Sequence, residues 1–131
     1  MIVNKKDVKL RPEVKEAWIK DLTSRKHRQV RHALKSEFND KHVGFCCLGR
    51  LCDVYQETTN EGEWQEQEKD FYFIDGDQGT SGVYPPHAVA SWALQENIEE
   101  TTSDLWTKIS KWNDKDLLSF EEIAERIEKE L

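Results

Sequence analysis

The stretch Phe45–Asp53, FCCLGRLCD, constrains this chain more than any other segment. From Cys46 onward its apolar residues recur as Cys47/Leu48, Leu51/Cys52 and Tyr55. That spacing predicts a helix ending near Gln56. Gly49 stands inside it, and a glycine in a helix interior costs about 1 kcal/mol relative to alanine. Its presence therefore predicts close packing or the close approach of another backbone segment. Immediately before it, His42-Val43-Gly44-Phe45 predicts a strand, so Cys46 and Cys47 fall where a strand meets a helix.

The rest of the chain supplies partners for that helix. Pro12 followed by Val14, Ala17, Trp18 and Leu22 predicts an amphipathic helix over about 12–23. Arg25–Arg31 is expected as a surface connection and Val30–Leu34 as the start of a short strand in preference to a helix, with a turn at Asn39-Asp40-Lys41. Phe71-Tyr72-Phe73-Ile74 is the strongest strand pattern. A turn-rich loop from Asp75 to Gly82 follows it, and Val83-Tyr84 is placed to pair back. Pro85-Pro86 opens a helix carrying Val89, Trp92 and Ala93. Thr101–Asp104 resembles a capping sequence ahead of Leu105, Ile109 and Trp112. Ser119 and Glu122 form a capping-box pattern before a stripe of Phe120, Ile123, Ala124, Ile127 and Leu131. Residues 57–70, ETTNEGEWQEQEKD, are expected as an acidic loop insertion. These elements predict one α+β domain over residues 1–131, with several helices packed on a small antiparallel sheet.

Composition narrows the function classes. The chain has 131 residues and a net charge of −7, which argues against a generic nucleic-acid coat or a polybasic membrane binder. No apolar run approaches the ~20 residues needed to span a bilayer. MIVNKKDVKL lacks the apolar stretch of a signal peptide, so a cytosolic protein is expected.

The cysteines Cys46, Cys47 and Cys52 are expected to be reduced, metal-free and buried. His27 and His32 with Cys47 and Cys52 make only a weak zinc pattern. On one helix the two cysteines would lie about 140° apart. A thiol nucleophile would need a histidine base, and none of His27, His32, His42 and His87 stands in a recognisable motif. Asp75–Thr80 begins like a calcium loop, but Thr80 and Pro86 occupy the positions that need Gly and Glu. No cofactor is expected. Asp53 and Asn113-Asp114 are expected to be mainly structural, holding neighbouring turns.

Charge distribution is the most informative functional signal. Residues 1–35 carry eleven Lys/Arg against four Asp/Glu, whereas the remaining residues carry eight against twenty-two. Arg25, Lys26, Arg28, Arg31 and Lys35 follow one another with no acid among them, interleaved with His27, Gln29 and His32. Arg offers planar bidentate donors to phosphate and Gln29 an amide edge to a base, so Arg25, Lys26, Arg28, Gln29 and Arg31 are the candidate ligand-binding residues. The competing expectation is that the strip is a solvated face or pairs with the acidic insertion at 57–70. Trp64 stands alone in that insertion. It either pins the insertion to the body or stacks on a base or anchors a protein partner.

Several segments together carry a resemblance. They are Trp18-x₃-Leu22 with His27-x-Gln29, the Cys46-Cys47-Leu48-Gly49-Arg50-Leu51-Cys52-Asp53 string, Pro85-Pro86-x₂-Val89-x₂-Trp92, and Trp112-Asn113-Asp114 with Ser119-Phe120-x₂-Ile123-Ala124-x₂-Ile127. This set resembles a family of small accessory proteins encoded by tailed bacteriophages. His27 stands where that family more usually has Tyr, and Lys115 where Gly often follows the Asn-Asp pair. The resemblance implies a protein made in the cytoplasm of an infected bacterium, of the sort that counters host defence or redirects host machinery. The expectation is a non-catalytic binding protein that sequesters a small anionic, nucleotide-like ligand. The alternatives are a protein–protein inhibitor of a host defence or regulatory protein, and a thiol-dependent or nucleotide-cleaving enzyme.

Overall fold

Gly49 explains how the chain closes on itself. A Cβ at this position would lie 1.8 Å from the Leu34 carbonyl oxygen, so the helix and the segment before the second strand meet backbone to backbone. The same Leu34 carbonyl accepts a hydrogen bond from the Cys46 N–H at 3.1 Å. Around this contact the computed structural model, which describes residues 9–38, 42–68, 70–74, 84–94 and 99–131, builds an α+β domain. Its elements are α1 (Pro12–Leu22), β1 (Arg28–Gln29), β2 (Lys35–Phe38), β3 (His42–Phe45), α2 (Cys47–Thr59), β4 (Glu63–Gln67), β5 (Asp70–Ile74), α3 (His87–Ala93), α4 (Glu99–Asp114) and α5 (Phe120–Glu130).

The sheet runs in the order β1-β3-β2-β5-β4. It is antiparallel throughout except where β1 pairs parallel with β3, so the expected antiparallel sheet is in detail a mixed one. β1 falls inside the expected surface connection, because two residues with a remote parallel partner leave no local pattern. The strand expected at Val30–Leu34 begins instead at Lys35. His32 takes a positive φ of 69° and its N–H bonds the Asp114 carboxylate, which breaks the extended run. The expected loop over 57–70 is also corrected. α2 continues to Thr59, closes on Asn60 in the left-handed conformation, and Gly62 turns the chain into β4, which pairs with β5 from Glu63↔Ile74 to Gln67↔Asp70.

The core is the packed faces of the helices. Val14, Trp18 and Leu22 of α1 are buried, with the Trp18 indole N–H donating to the Cys47 carbonyl at 3.0 Å. The capping box at α5 is present in both directions, and Phe120, Ile123, Ala124 and Ile127 are buried as their spacing requires. Leu105, Ile109 and Trp112 of α4 are likewise buried. Tyr84 lies in a bend, not a strand, with its hydroxyl 3.1 Å from the Thr107 hydroxyl. The turn at 39–41, the loop at 75–82 with its calcium-like start, and Val83 lie outside the described residues. Among the described residues no helix is long and apolar enough to cross a membrane.

Candidate functional site

Arg50 is the one charged side chain in the apolar FCCLGRLCD segment apart from its terminal Asp53, and it is 1% exposed. Burial of a guanidinium demands partners. Asp21 from α1 takes it in a bidentate pair, Nε to Oδ2 at 2.8 Å and Nη2 to Oδ1 at 2.7 Å. Asp53, one turn further along α2, accepts from Nη1. The second Asp53 oxygen accepts the Trp64 indole N–H at 2.7 Å. Burial alone would pull Arg50 down, but the two carboxylates outweigh it and hold the guanidinium above its ordinary value. One buried cation thus ties α1, α2 and β4 together.

Phe45 is the hub of the adjoining cluster. The Arg50 guanidinium carbon lies 4.6 Å from its ring centre. The His27 ring meets it edge-on at 5.6 Å and Trp64 at 6.1 Å. The sheet register sets Lys35 opposite both Phe45 and Phe71, so the three stand in a row on one face. The Lys35 ammonium lies 5.3 Å from the Phe45 ring centre, 5.2 Å from Trp64 and 4.6 Å from Phe71. Burial lowers its pKa, and Arg50 adds to this while Asp53 and Glu66 oppose it. Burial also lowers His27, again with help from Arg50 and against Asp21, Asp53 and Glu57.

Beside the cluster, between α1 and α2, lies a cleft of about 350 Å³. Its polar lining includes Lys20, Asp21, Lys26, His27 and Glu57, with the hydroxyls of Ser24 and Thr58. This volume is at the lower end of the range for small-molecule sites.

A family model, Domain of unknown function (DUF8296), matches residues 10–131. The chain belongs to the DUF8296 family. No curated protein and no solved structure matches it. The matched span contains the elements described above, the Arg50 network and the cleft.

The basic strip of this DUF8296 chain does not converge on one point. Arg25 is exposed and pairs with Glu121 of α5 at 2.9 Å. Lys26 lines the cleft. Arg28 lies exposed on β1, and Arg31 is exposed just after it. The Gln29 amide nitrogen donates to Asn113 Oδ1 at 2.7 Å and to the Leu118 carbonyl at 2.8 Å, so both of its N–H groups serve the fold. Trp64 is half-buried and turns inward onto Asp53, Phe45 and Phe73. Sequence reasoning did not anticipate Asp21, Lys20, Phe45 or Arg50 as site residues. For Arg50 the signal was present: an arginine in an apolar helical run, with aspartate three residues on.

Asn113 is 0% exposed. Its amide nitrogen donates to the Val30 carbonyl at 2.9 Å and to Asp114 Oδ1 at 2.8 Å, and its oxygen accepts from Gln29. The three cysteines are free and buried. Burial pushes the Cys46 thiol up to about 12, and raises Cys47 and Cys52 as well, so none is a thiolate near neutral pH. Among the described residues no group of three or more His, Cys, Asp or Glu side chains is placed to hold a metal ion.

Proposed function

We propose that this protein acts by binding, and that the cleft between α1 and α2 takes a small anionic ligand of nucleotide type. The observation that carries this is the cleft's own lining. Lys20 and Lys26 are exposed ammonium groups on its walls, and His27 presents a ring edge-on to Phe45. Ammonium groups recognise phosphate as point charges, and a ring at the cleft wall gives a base a surface to stack on. Asp21 is already engaged by Arg50 and so adds little repulsion toward an anion, which sets the two lysines against the single carboxylate of Glu57 in the lining. The resemblance to tailed-phage accessory proteins supplies the setting: an infected bacterium, in which a nucleotide signal of the host's defence is sequestered. The protein-inhibitor alternative loses its proposed anchor, because Trp64 packs inward.

The test is a melting-temperature screen of the full chain against cyclic oligonucleotides, ADP-ribose-type compounds and ordinary nucleotides at two salt concentrations. A ligand at a hundred times its Kd stabilises the fold by about 2.7 kcal/mol. For a chain of this length that is a shift of roughly 8–10 °C. Lys20→Glu and Lys26→Glu should each abolish the shift, which should also shrink as salt rises. A panel with no hit, or a hit that survives both reversals, overturns the assignment.

A further inference from the structure

The cleft between α1 and α2 carries unlike charge on its two walls. Lys20, Asp21 and Ser24 lie along one face of α1 and its continuation, and Lys26 follows in the connection to β1. Val54, Glu57 and Thr58 fall at i, i+3 and i+4 and so share one face of α2. Both ammonium groups therefore come from the α1 wall, whereas the α2 wall contributes a carboxylate. Asp21 is engaged by Arg50, but Glu57 is exposed and among the described residues has no hydrogen bond or ion pair. It lies within electrostatic reach of His27. A site that received phosphate alone would be weakened by such a group, because like charges brought together repel. A ligand that meets both walls must bring an anion at one end and neutral hydrogen-bond donors at the other.

We infer that the α2 wall selects a ribose: Glu57 accepts the vicinal 2′- and 3′-hydroxyls of a ribonucleoside phosphate whose phosphate lies against Lys20 and Lys26. This rests on the nucleotide reading of the cleft and narrows its ligand class. A carboxylate offers two acceptor oxygens, one for each O–H of a vicinal diol. An acidic side chain on a ribose hydroxyl is also how dinucleotide-binding folds read their sugar. The Thr58 hydroxyl, one residue on, adds a group that can donate or accept. Size agrees, since about 350 Å³ suits a single nucleoside phosphate. A 3′,5′-linked cyclic oligonucleotide has its 3′-oxygens esterified and presents no vicinal diol. A 2′,3′-dideoxynucleotide lacks both hydroxyls. Both classes should be disfavoured.

Isothermal titration of the full chain at low salt tests this, with the common ribonucleoside 5′-monophosphates, their 2′,3′-dideoxy counterparts and cyclic oligonucleotides as probes. At least one ribonucleotide should bind about tenfold or more tightly than its dideoxy form, the worth of a hydrogen bond to a charged acceptor. Glu57→Ala should erase that preference and leave dideoxy binding undiminished, because it also removes a negative charge from the phosphate's surroundings. Glu57 is exposed, so the unliganded melting temperature of the variant should match that of the wild type. Equal binding of the two forms, both lost in Lys20→Glu, would overturn the ribose assignment and leave the anionic-ligand reading standing. So would binding by cyclic oligonucleotides alone, or a ribose preference that survives Glu57→Ala. Failure of every nucleotide to bind would remove both readings together.

Discussion

Arg50 would be a liability without both aspartates, since a buried guanidinium deprived of a partner cannot be rehydrated. Asp21→Ala leaves it with Asp53 alone, and the expected cost, measured by denaturant unfolding, is about 3 kcal/mol. Asp53→Ala removes the Arg50 contact and the Trp64 bond together. It should cost about 1–3 kcal/mol. It should also shift Trp64 emission, which an equally destabilising change elsewhere would not do. His27 gives the site a pH dependence. Burial and Arg50 lower its folded pKa below the ordinary 6.5, so the unfolded chain binds the proton more readily. Its contribution is therefore fully present above pH 6.5 and is lost as the pH falls from there through the lowered folded value. Melting temperatures across that acid range should drop less in His27→Gln than in the wild type. A variant with the same acid slope as the wild type would show that His27 is not the group responsible.

At the scale of elements, Gly49 is the residue that permits α2 to sit against the Leu34 backbone. Gly49→Ala forces a Cβ into a carbonyl oxygen and should destabilise by about 3 kcal/mol or more, despite alanine's better helix propensity. Ser119→Ala removes the α5 cap and should cost about 1 kcal/mol. α1 and α5 were legible in the sequence because each buries one periodic face and carries its own start signal, Pro12 or the Ser119–Glu122 box, whereas β3 was legible only from its short run ahead of the cysteines and buries Gly44 and Phe45 without alternation. β4 was not, because an edge strand facing water needs only one apolar residue turned inward, here Trp64, and its glutamates read as loop. The site was legible in part. Lys26 and Trp64 lie in or beside it, but contiguity misled. The positive φ of His32 and the short β1 send successive members of the basic strip to different faces, and the Asp21–Arg50 pair spans 29 residues of sequence. No local pattern reports a bond of that reach.

Across the whole molecule, a few buried side chains hold segments that are distant in sequence. Asn113 joins α4 to the start of the sheet, and Asn113→Ala would leave one Gln29 N–H and the Val30 carbonyl without their partner at a cost of about 1–3 kcal/mol. The buried thiols lie at the same junction, within the first turns of α2. Trp18 of α1 donates to the Cys47 carbonyl, and the Cys47 thiol lies 3.9 Å from the Ile109 carbonyl of α4. A reagent such as an aromatic disulfide therefore reaches Cys47 only when α1 and α4 have both lifted away, and Cys46 and Cys52, buried in the same core, only when that core opens. The native chain thus carries a built-in clock for its own opening. Labelling should proceed all-or-none, with molecules bearing either no adduct or three in the mass spectrum, at a rate that follows global stability. Singly labelled molecules accumulating early would instead reveal that one end of α2 breathes on its own.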